Sequence, residues 1–350
     1  MALLVLAVMP AVLAVSVGSG VGVDIVTEDF APQVWMCDSR LVLDDNTEPG
    51  RITSTDTLIE RMNNYAFEGE QIQWEVLVMD KNGVEKIEDV FATIGTDQGE
   101  GNDIEVNCDR ITRTSLELCN ARLLEENLTS FEPQTMEFYR CTLTVETPLS
   151  MYGEHWVTVE AVDLDGLSGT MDENEFWFLN PEIALEITGD LTFDDVRPGT
   201  SSYSDTLLVG NAADDGSGVR LDMFISGTDF YDSSSSGALC PTSNQLSLGS
   251  FKYWVTHGAY SNQGPLGADS RIAGDPEGYL PIAYGIGFND PNPFYGTHEI
   301  LQAGPTNGPY WQSNILSPGA EMALTFRLNL PEPCNGDFDT GSIYFWGEAI

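Results

Sequence analysis

Cys334–Ile350 reads CNGDFDTGSIYFWGEAI, and the reading of the fold starts here. Ser342–Trp346 (SIYFW) is a short run of β-branched and aromatic residues, the composition of a strand. Chain ends fray in solvent unless a sheet holds them. A tail carrying Trp346 and Ile350 with no charged extension is therefore expected to be a final strand locked into a β-sandwich. Cys334, just upstream, has one partner in the second half of the chain, Cys240, so this pair is expected to be a disulfide.

Working back, the same strand-and-turn text recurs. Glu321–Leu328 (EMALTFRL), Tyr203–Gly210 (YSDTLLVG) and Ile183–Thr188 (IALEIT) read as strands. Val219–Ser226 (VRLDMFIS) sets Val219, Leu221, Met223 and Ile225 against Arg220 and Asp222, the period of a half-buried strand. Between residues 258 and 310 the chain is rich in Gly, Pro, Asn and Tyr, which implies long excursions over few strands. A boundary falls near Leu179-Asn180-Pro181. Before it, Gln71–Met79 (QIQWEVLVM) places Ile72, Trp74, Val76 and Val78 on one face. Asp80-Lys81-Asn82-Gly83 follows, and its Asn-Gly pair is the strongest short hairpin signal. Val90–Ile94, Phe138–Val145, Trp156–Val162 and Glu175–Leu179 continue the strand pattern, while Thr112–Thr129 reads as a short helix or a long loop. Many short strands with turn signals and a tryptophan flanked by distant cysteines resemble an immunoglobulin-like sandwich. The expectation is an all-β chain: a leader at 1–23, an extended segment at 24–33, an immunoglobulin-like β-sandwich at 34–180 and a jelly-roll-like β-sandwich at 181–350.

Composition narrows the function. The 350 residues include 14 Lys plus Arg against 55 Asp plus Glu, a formal charge of -41. Nucleic acids and anionic membranes are bound through basic side chains that neutralise phosphate, so neither is an expected partner. Divalent cations, basic partners and high salt suit such a surface. MALLVLAVMPAVLAVSVGSGVG carries no charge before Asp24, and its apolar Leu3–Val17 core followed by small residues reads as a secretory leader. Membrane attachment is expected only through that leader, if uncleaved. Six cysteines, four before the boundary and two after, fit an oxidising compartment and bridges within each half. Cys37, Cys108, Cys119 and Cys141 allow three pairings, all left open by the sequence. Asn127-Leu128-Thr129 is a glycosylation sequon. The expected location is outside the cell.

One resemblance follows from particular residues. Phe193–Thr200 (FDDVRPGT), a strand ending in Gly210-Asn211, Gly216–Phe230 (GSGVRLDMFISGTDF) and a terminal GSIYFW resemble secreted archaeal surface and filament-type β-sandwich proteins. The second half is also distantly similar to TasA/camelysin-type fibre subunits, with their F-x-D-V-x-P-G connection. The resemblance implies a jelly-roll-like module that assembles into filaments or coats by lending an N-terminal strand to a neighbour. On this chain that strand is the lead-in, with Asp24, Ile25, Val26 and Phe30 as the assembly residues.

Chemistry-bearing motifs are sparse. His155, His257 and His298 lie on separate segments, and no HExxH, GxSxG or P-loop motif occurs. A non-enzymatic chain is expected. Calcium is the better chemical candidate, because alternate carboxylates on a loop converge on a hard cation. Asp163, Asp165 and Asp172 form one such group, Asp337 and Asp339 another. Turns in which Asp and Gly suit the backbone account for the same pattern. The second half also concentrates aromatics, among them Tyr231, Trp254, Tyr279, Phe294, Tyr295 and Trp311, with no regular spacing that presents them on one face. They carry the alternative reading, a secreted glycan-binding or adhesion module. The leading expectation is a structural protein of a surface layer or filament that self-associates into a homo-polymer or joins other surface proteins, with calcium-stabilised loops.

Overall fold

The computed structural model describes residues 21–44, 58–99, 101–116, 119, 128, 130–171, 175–234, 237–263, 269, 271, 275, 277–285, 298–308 and 310–350. The leader up to residue 20, the sequon Asn127, the candidate ligand Asp172 and the aromatics Phe294 and Tyr295 lie outside them. Strands make up 49% of the structure and helix 3%, so the chain is all-β.

The first half contains β1 (Gln33–Asp44), β2 (Leu58–Arg61), β3 (Tyr65–Ala66), β4 (Gln71–Met79), β5 (Ile87–Gly95), β6 (Ile104–Ile111), β7 (Met136–Thr144), β8 (Gly153–Asp163), β9 (Ser168–Met171) and β10 (Phe176–Leu179). They join in the order β2-β1-β4-β7-β6-β5-β8-β10-β3, with β9 beside β8. This sheet folds over on itself at β6. Residues Ile104–Asn107 of that strand pair with β5, and Cys108–Ile111 pair with β7. Between the layers, Ile72, Trp74, Val76 and Val78 of β4 meet Val90, Ala92 and Ile94 of β5 and Val157, Val159 and Ala161 of β8. Trp74 and Trp177 lie 6.5 Å apart at the centre. The other face of β4 is covered too. Leu77 and Met79 join Trp35, Met136 and Phe138 in a second cluster, under Leu116 and Phe131.

The disulfides of this half are Cys37–Cys119 and Cys108–Cys141. Both join residues on adjoining strands or bridges. They do not span the sandwich as the immunoglobulin disulfide does.

The Asn-Gly turn departs from its expected role. The strands on either side, β4 and β5, do not pair: β4 lies between β1 and β7, and β5 between β6 and β8. Asp80–Gly83 therefore crosses between layers instead of closing a hairpin. Other strands occupy both edges of β4 and of β5, and the turn between them is held by bonds of its own. The Asp80 carboxylate accepts from the Asn82 N–H at 2.7 Å, and the Asn82 amide is spent on the lead-in segment. The backbone continues through a 3-10 turn at Val84–Lys86.

The second half contains β11 (Leu185–Thr188), β12 (Ser201–Asn211), β13 (Leu221–Gly227), β14 (Phe251–His257), β15 (Tyr260–Ser261), β16 (Leu280–Pro281), β17 (Thr306–Asn307), β18 (Tyr310–Trp311), β19 (Ile315–Leu316), β20 (Glu321–Asn329) and β21 (Ile343–Ala349). One sheet runs β11-β12-β20-β14-β15 with β16 beside β14, a second runs β19-β13-β21, and β17 and β18 form a separate hairpin. The core lies between the first two sheets, where Leu207, Val209, Tyr253, Met322, Leu324 and Phe326 face Leu221, Met223 and Ile225. Cys240–Cys334 is a disulfide at the edge of this core.

Two strands differ from their expected environments. β13 is buried along its whole length, so its alternation does not mark an exposed face. Asp222, 1% exposed, accepts from the Asn314 amide at 2.8 Å, which satisfies its buried carboxylate. Among the described residues the terminal strand β21 pairs with β13 alone, and each of its residues is half-buried.

The halves meet at Tyr65, which is buried with the second core. Its hydroxyl and the Asn63 amide both donate to the Ile350 carbonyl, at 2.5 and 3.2 Å. Arg61 lies over the Tyr65 ring at 4.8 Å and pairs with buried Glu70.

Candidate functional site: the lead-in segment and its base

Residues 21–32 carry no strand pairing. The far part is apolar and bare: Val21 is 88% exposed, Val23 77%, Ile25 79% and Val26 87%. Asp24 is exposed as well. The near part is pinned. The Phe30 N–H donates to the Asn82 side-chain carbonyl at 2.5 Å, and the Asn82 amide returns a bond to the Glu28 carbonyl at 3.0 Å. The Lys81 ammonium sits 4.5 Å from the centre of the Phe30 ring, a cation–π contact. Pro32 is buried, and its carbonyl lies so close to Gly169 that a Cβ there would fall 1.7 Å from the oxygen. Gly169 is thus required by a close approach of backbones. Of the four expected assembly residues, Asp24, Ile25 and Val26 stand free of the fold, and Phe30 anchors them to it.

The corner that holds this base is acidic. Asp163 is 2% exposed, and one of its oxygens accepts from the N–H groups of Asp165 and Leu167 at 2.9 and 2.7 Å, closing the β8–β9 turn. Asp165 pairs with Lys86 at 2.8 Å. Asp80, which the sequence reading did not single out as a ligand, joins them. It is fully buried, and its second carboxylate oxygen has no hydrogen-bond partner. Burial raises the Asp80 carboxyl above its usual range. The Asn82 N–H and Lys86 oppose this, and the charges of Asp163 and Asp165 reinforce it. The signal for Asp80 in sequence was only the turn itself, since Asp163 and Asp165, whose charges act on it, lie more than eighty positions away.

Asp337 and Asp339 lie elsewhere. Asp339 accepts from the Ser233 N–H and hydroxyl at 2.9 and 2.6 Å, which holds its carboxyl below the usual range. The Asp337 N–H donates to Asp232. Asp337 stands with Asp194 and Asp195 at a groove of about 620 Å³ lined by Phe193, Phe230, Phe251 and Phe338. No group of three or more His, Cys, Asp or Glu side chains arranged to hold a metal ion occurs among the described residues. The three histidines are apart, each hydrogen-bonded to a backbone carbonyl: His155 to Gly153, His257 to Ser313 and His298 to Tyr284.

The aromatics are better ordered than their spacing indicates. Trp254 and Tyr203 each lie 5.9 Å from Tyr279. Trp311 is apart from them, on the β17–β18 hairpin.

No protein-family model and no curated protein matches the chain. Among solved structures, a "putative secreted protein" from Eubacterium rectale aligns with 76% of this chain at 10% identity and a TM-score of 0.19. This chain covers 64% of that protein's length. A likeness at that score carries no argument about fold or role. No helix among the described residues is long and apolar enough to cross a membrane.

Proposed function

We propose that the protein is an extracellular structural component of a cell-surface layer or filament, and that copies join when the lead-in of one pairs with a sheet edge of the next. The observation that carries this reading is the lead-in itself: Ile25 and Val26 held bare on a segment without strand pairing whose base is fixed by Asn82, Lys81 and Pro32. A segment that has no strand pairing in its own fold and leaves Ile25 and Val26 uncovered suits addition to a neighbour's sheet.

The acceptor in this proposal is the side of β21 away from β13, its one strand partner among the described residues. Its half-buried pattern is what a strand shows when one more strand alongside would complete its cover. The phenylalanine groove suits the lead-in less well. Its rim carries Asp194, Asp195 and Asp337, and the lead-in carries Asp24, Glu28 and Asp29, so like charges would meet. Three disulfides support folding in an oxidising compartment outside the cytoplasm.

Calcium enters this reading at the base of the lead-in. Asp165 is neutralised by Lys86, and among the described residues the acidic groups here do not form a ready-made metal site, so in this proposal a cation would be drawn to the unpartnered Asp80 oxygen and would stiffen the anchor at Asn82. Electron micrographs of the purified protein test both parts. Polymers are expected for the intact chain and none after deletion of 24–33, with chelator weakening the polymer. Unchanged polymer from the deleted chain removes the strand-donation reading. Unchanged polymer in chelator removes the calcium part alone.

A further inference from the structure

The outer face of the larger second-half sheet gathers residues from three strands and one loop. Pairing register sets their orientation, because residues directly opposite on neighbouring strands point to the same side. Tyr203 on β12 lies opposite Arg327 on β20, and Arg327 lies opposite Lys252 on β14. Trp254 is two residues beyond Lys252 and so shares its face. The intervening Tyr253, opposite Phe326, points inward and is buried. Asp275, Glu277 and Tyr279 arrive from the loop before β16. Tyr279 takes the middle position, with Tyr203 and Trp254 at 5.9 Å and the Arg327 guanidinium 4.7 Å from its ring centre.

The ions beneath these rings are matched. Arg327 bonds Asp275 at 2.5 Å and Glu277 at 2.6 Å, and Lys252 bonds Asp275 at 2.6 Å. Two cations therefore face two carboxylates. Burial works against the Asp275 charge, but the Arg327 and Lys252 hydrogen bonds outweigh it and keep the carboxyl ionised. The patch is thus locally neutral on a protein of formal charge -41. Tyr203 is 50% exposed and the Glu277 side chain 52%, and Trp254 and Tyr279 are half-buried. Neither the Trp254 indole N–H nor the Tyr279 hydroxyl has a hydrogen-bond partner among the described residues. Aromatic rings with polar tips left open suit a ligand that is apolar on one side and rich in hydroxyls at its rim.

We infer that Tyr203, Trp254 and Tyr279, backed by Arg327 and Glu277, form a binding platform for a neutral carbohydrate chain. Tyr203 and Trp254, inclined to Tyr279 by 57° and 55°, offer their ring faces to the C–H faces of different sugars of a curved chain, while Glu277, the Tyr279 hydroxyl and the Trp254 N–H exchange hydrogen bonds with the hydroxyls. Anionic polysaccharides are excluded by the surrounding negative charge. This site is independent of the lead-in and of assembly.

The test is titration of the full chain with cellohexaose, chitohexaose, mannohexaose and polygalacturonate, read by calorimetry and by tryptophan fluorescence. At least one neutral hexasaccharide is expected to saturate the protein with little dependence on salt, and polygalacturonate is expected not to bind. Trp254→Ala and Tyr203→Ala are each expected to weaken binding about tenfold with unchanged melting temperature, and Trp311→Ala to leave it unchanged. Tyr203 is exposed enough that its variant folds even if Trp254→Ala does not. Deleting 24–33 should leave the affinity as it is, which separates this outcome from failure of assembly. Absence of saturable binding by every neutral probe, or binding that survives both platform substitutions, overturns the inference.

Discussion

Replacing Ile25 by Ser separates assembly from folding. The Ile25 side chain is 79% exposed and makes no contribution to either core, so the monomer has almost nothing to lose. Fully burying an isoleucine is worth about 1.5–3 kcal/mol. With four-fifths of its surface still available, its burial in a neighbour's sheet is worth about 2 kcal/mol. A loss of that size raises the critical concentration for polymer about 30-fold. Sedimentation of polymer across a concentration series reads this shift, and thermal unfolding of the dilute monomer supplies the control. The expected result is a higher critical concentration at an unchanged melting temperature. An unchanged critical concentration refutes the role of the segment as a donated strand. A fall in melting temperature refutes its isolation from its own fold.

Other consequences test the base of the segment and the cores. Asp80 is held protonated to higher pH in the folded state than in the unfolded chain, so between those two values the folded state binds more protons. Its contribution to stability is therefore largest below the ordinary Asp range and falls as pH rises through the raised value. In chelator, Asp80→Asn is expected to raise stability at neutral pH and flatten this dependence, measured by denaturant unfolding at several pH values. Gly169→Ala forces a Cβ against the Pro32 carbonyl and is expected to cost about 1–3 kcal/mol, seen as a lower denaturation midpoint, with faster proteolysis of the lead-in. Replacing Cys240 and Cys334 by Ala opens a loop of sequence separation 94. The chain-entropy model gives a loss of about 4.7 kcal/mol for a loop near this length, read as a shift of the second-half transition.

The all-β class, most strand positions and the oxidising compartment were legible in the chain, because alternation, turn residues and cysteine count are local or compositional. Ile72, Trp74, Val76 and Val78 reach the core that their period-2 spacing assigns them. The lead-in at 24–33 reads in sequence as a short extended segment ahead of the first strand, and residues 24–32 carry no strand pairing. Pairing was not legible. Asn82-Gly83 has the composition of a hairpin turn, yet whether the flanking strands pair depends on competition from β7 and β8, which lie far along the sequence. The same limit hid Asp80: a turn aspartate becomes a buried carboxylate with one oxygen unpartnered only in the folded chain, where Asp163 and Asp165 add their charge to its surroundings.

Tyr203, Trp254 and Tyr279 show that limit most plainly. Nothing in their spacing unites them, and they converge only because β20 sits between β12 and β14 in a register that places Arg327 opposite both Tyr203 and Lys252. Sequence by itself determined which segments are strands, since each residue's preference for a pleated, half-buried backbone is a local property. Tertiary structure decided which strands are neighbours, and with that which side chains share a face, because pairing is a contest among distant segments for the same hydrogen bonds and the same buried surface.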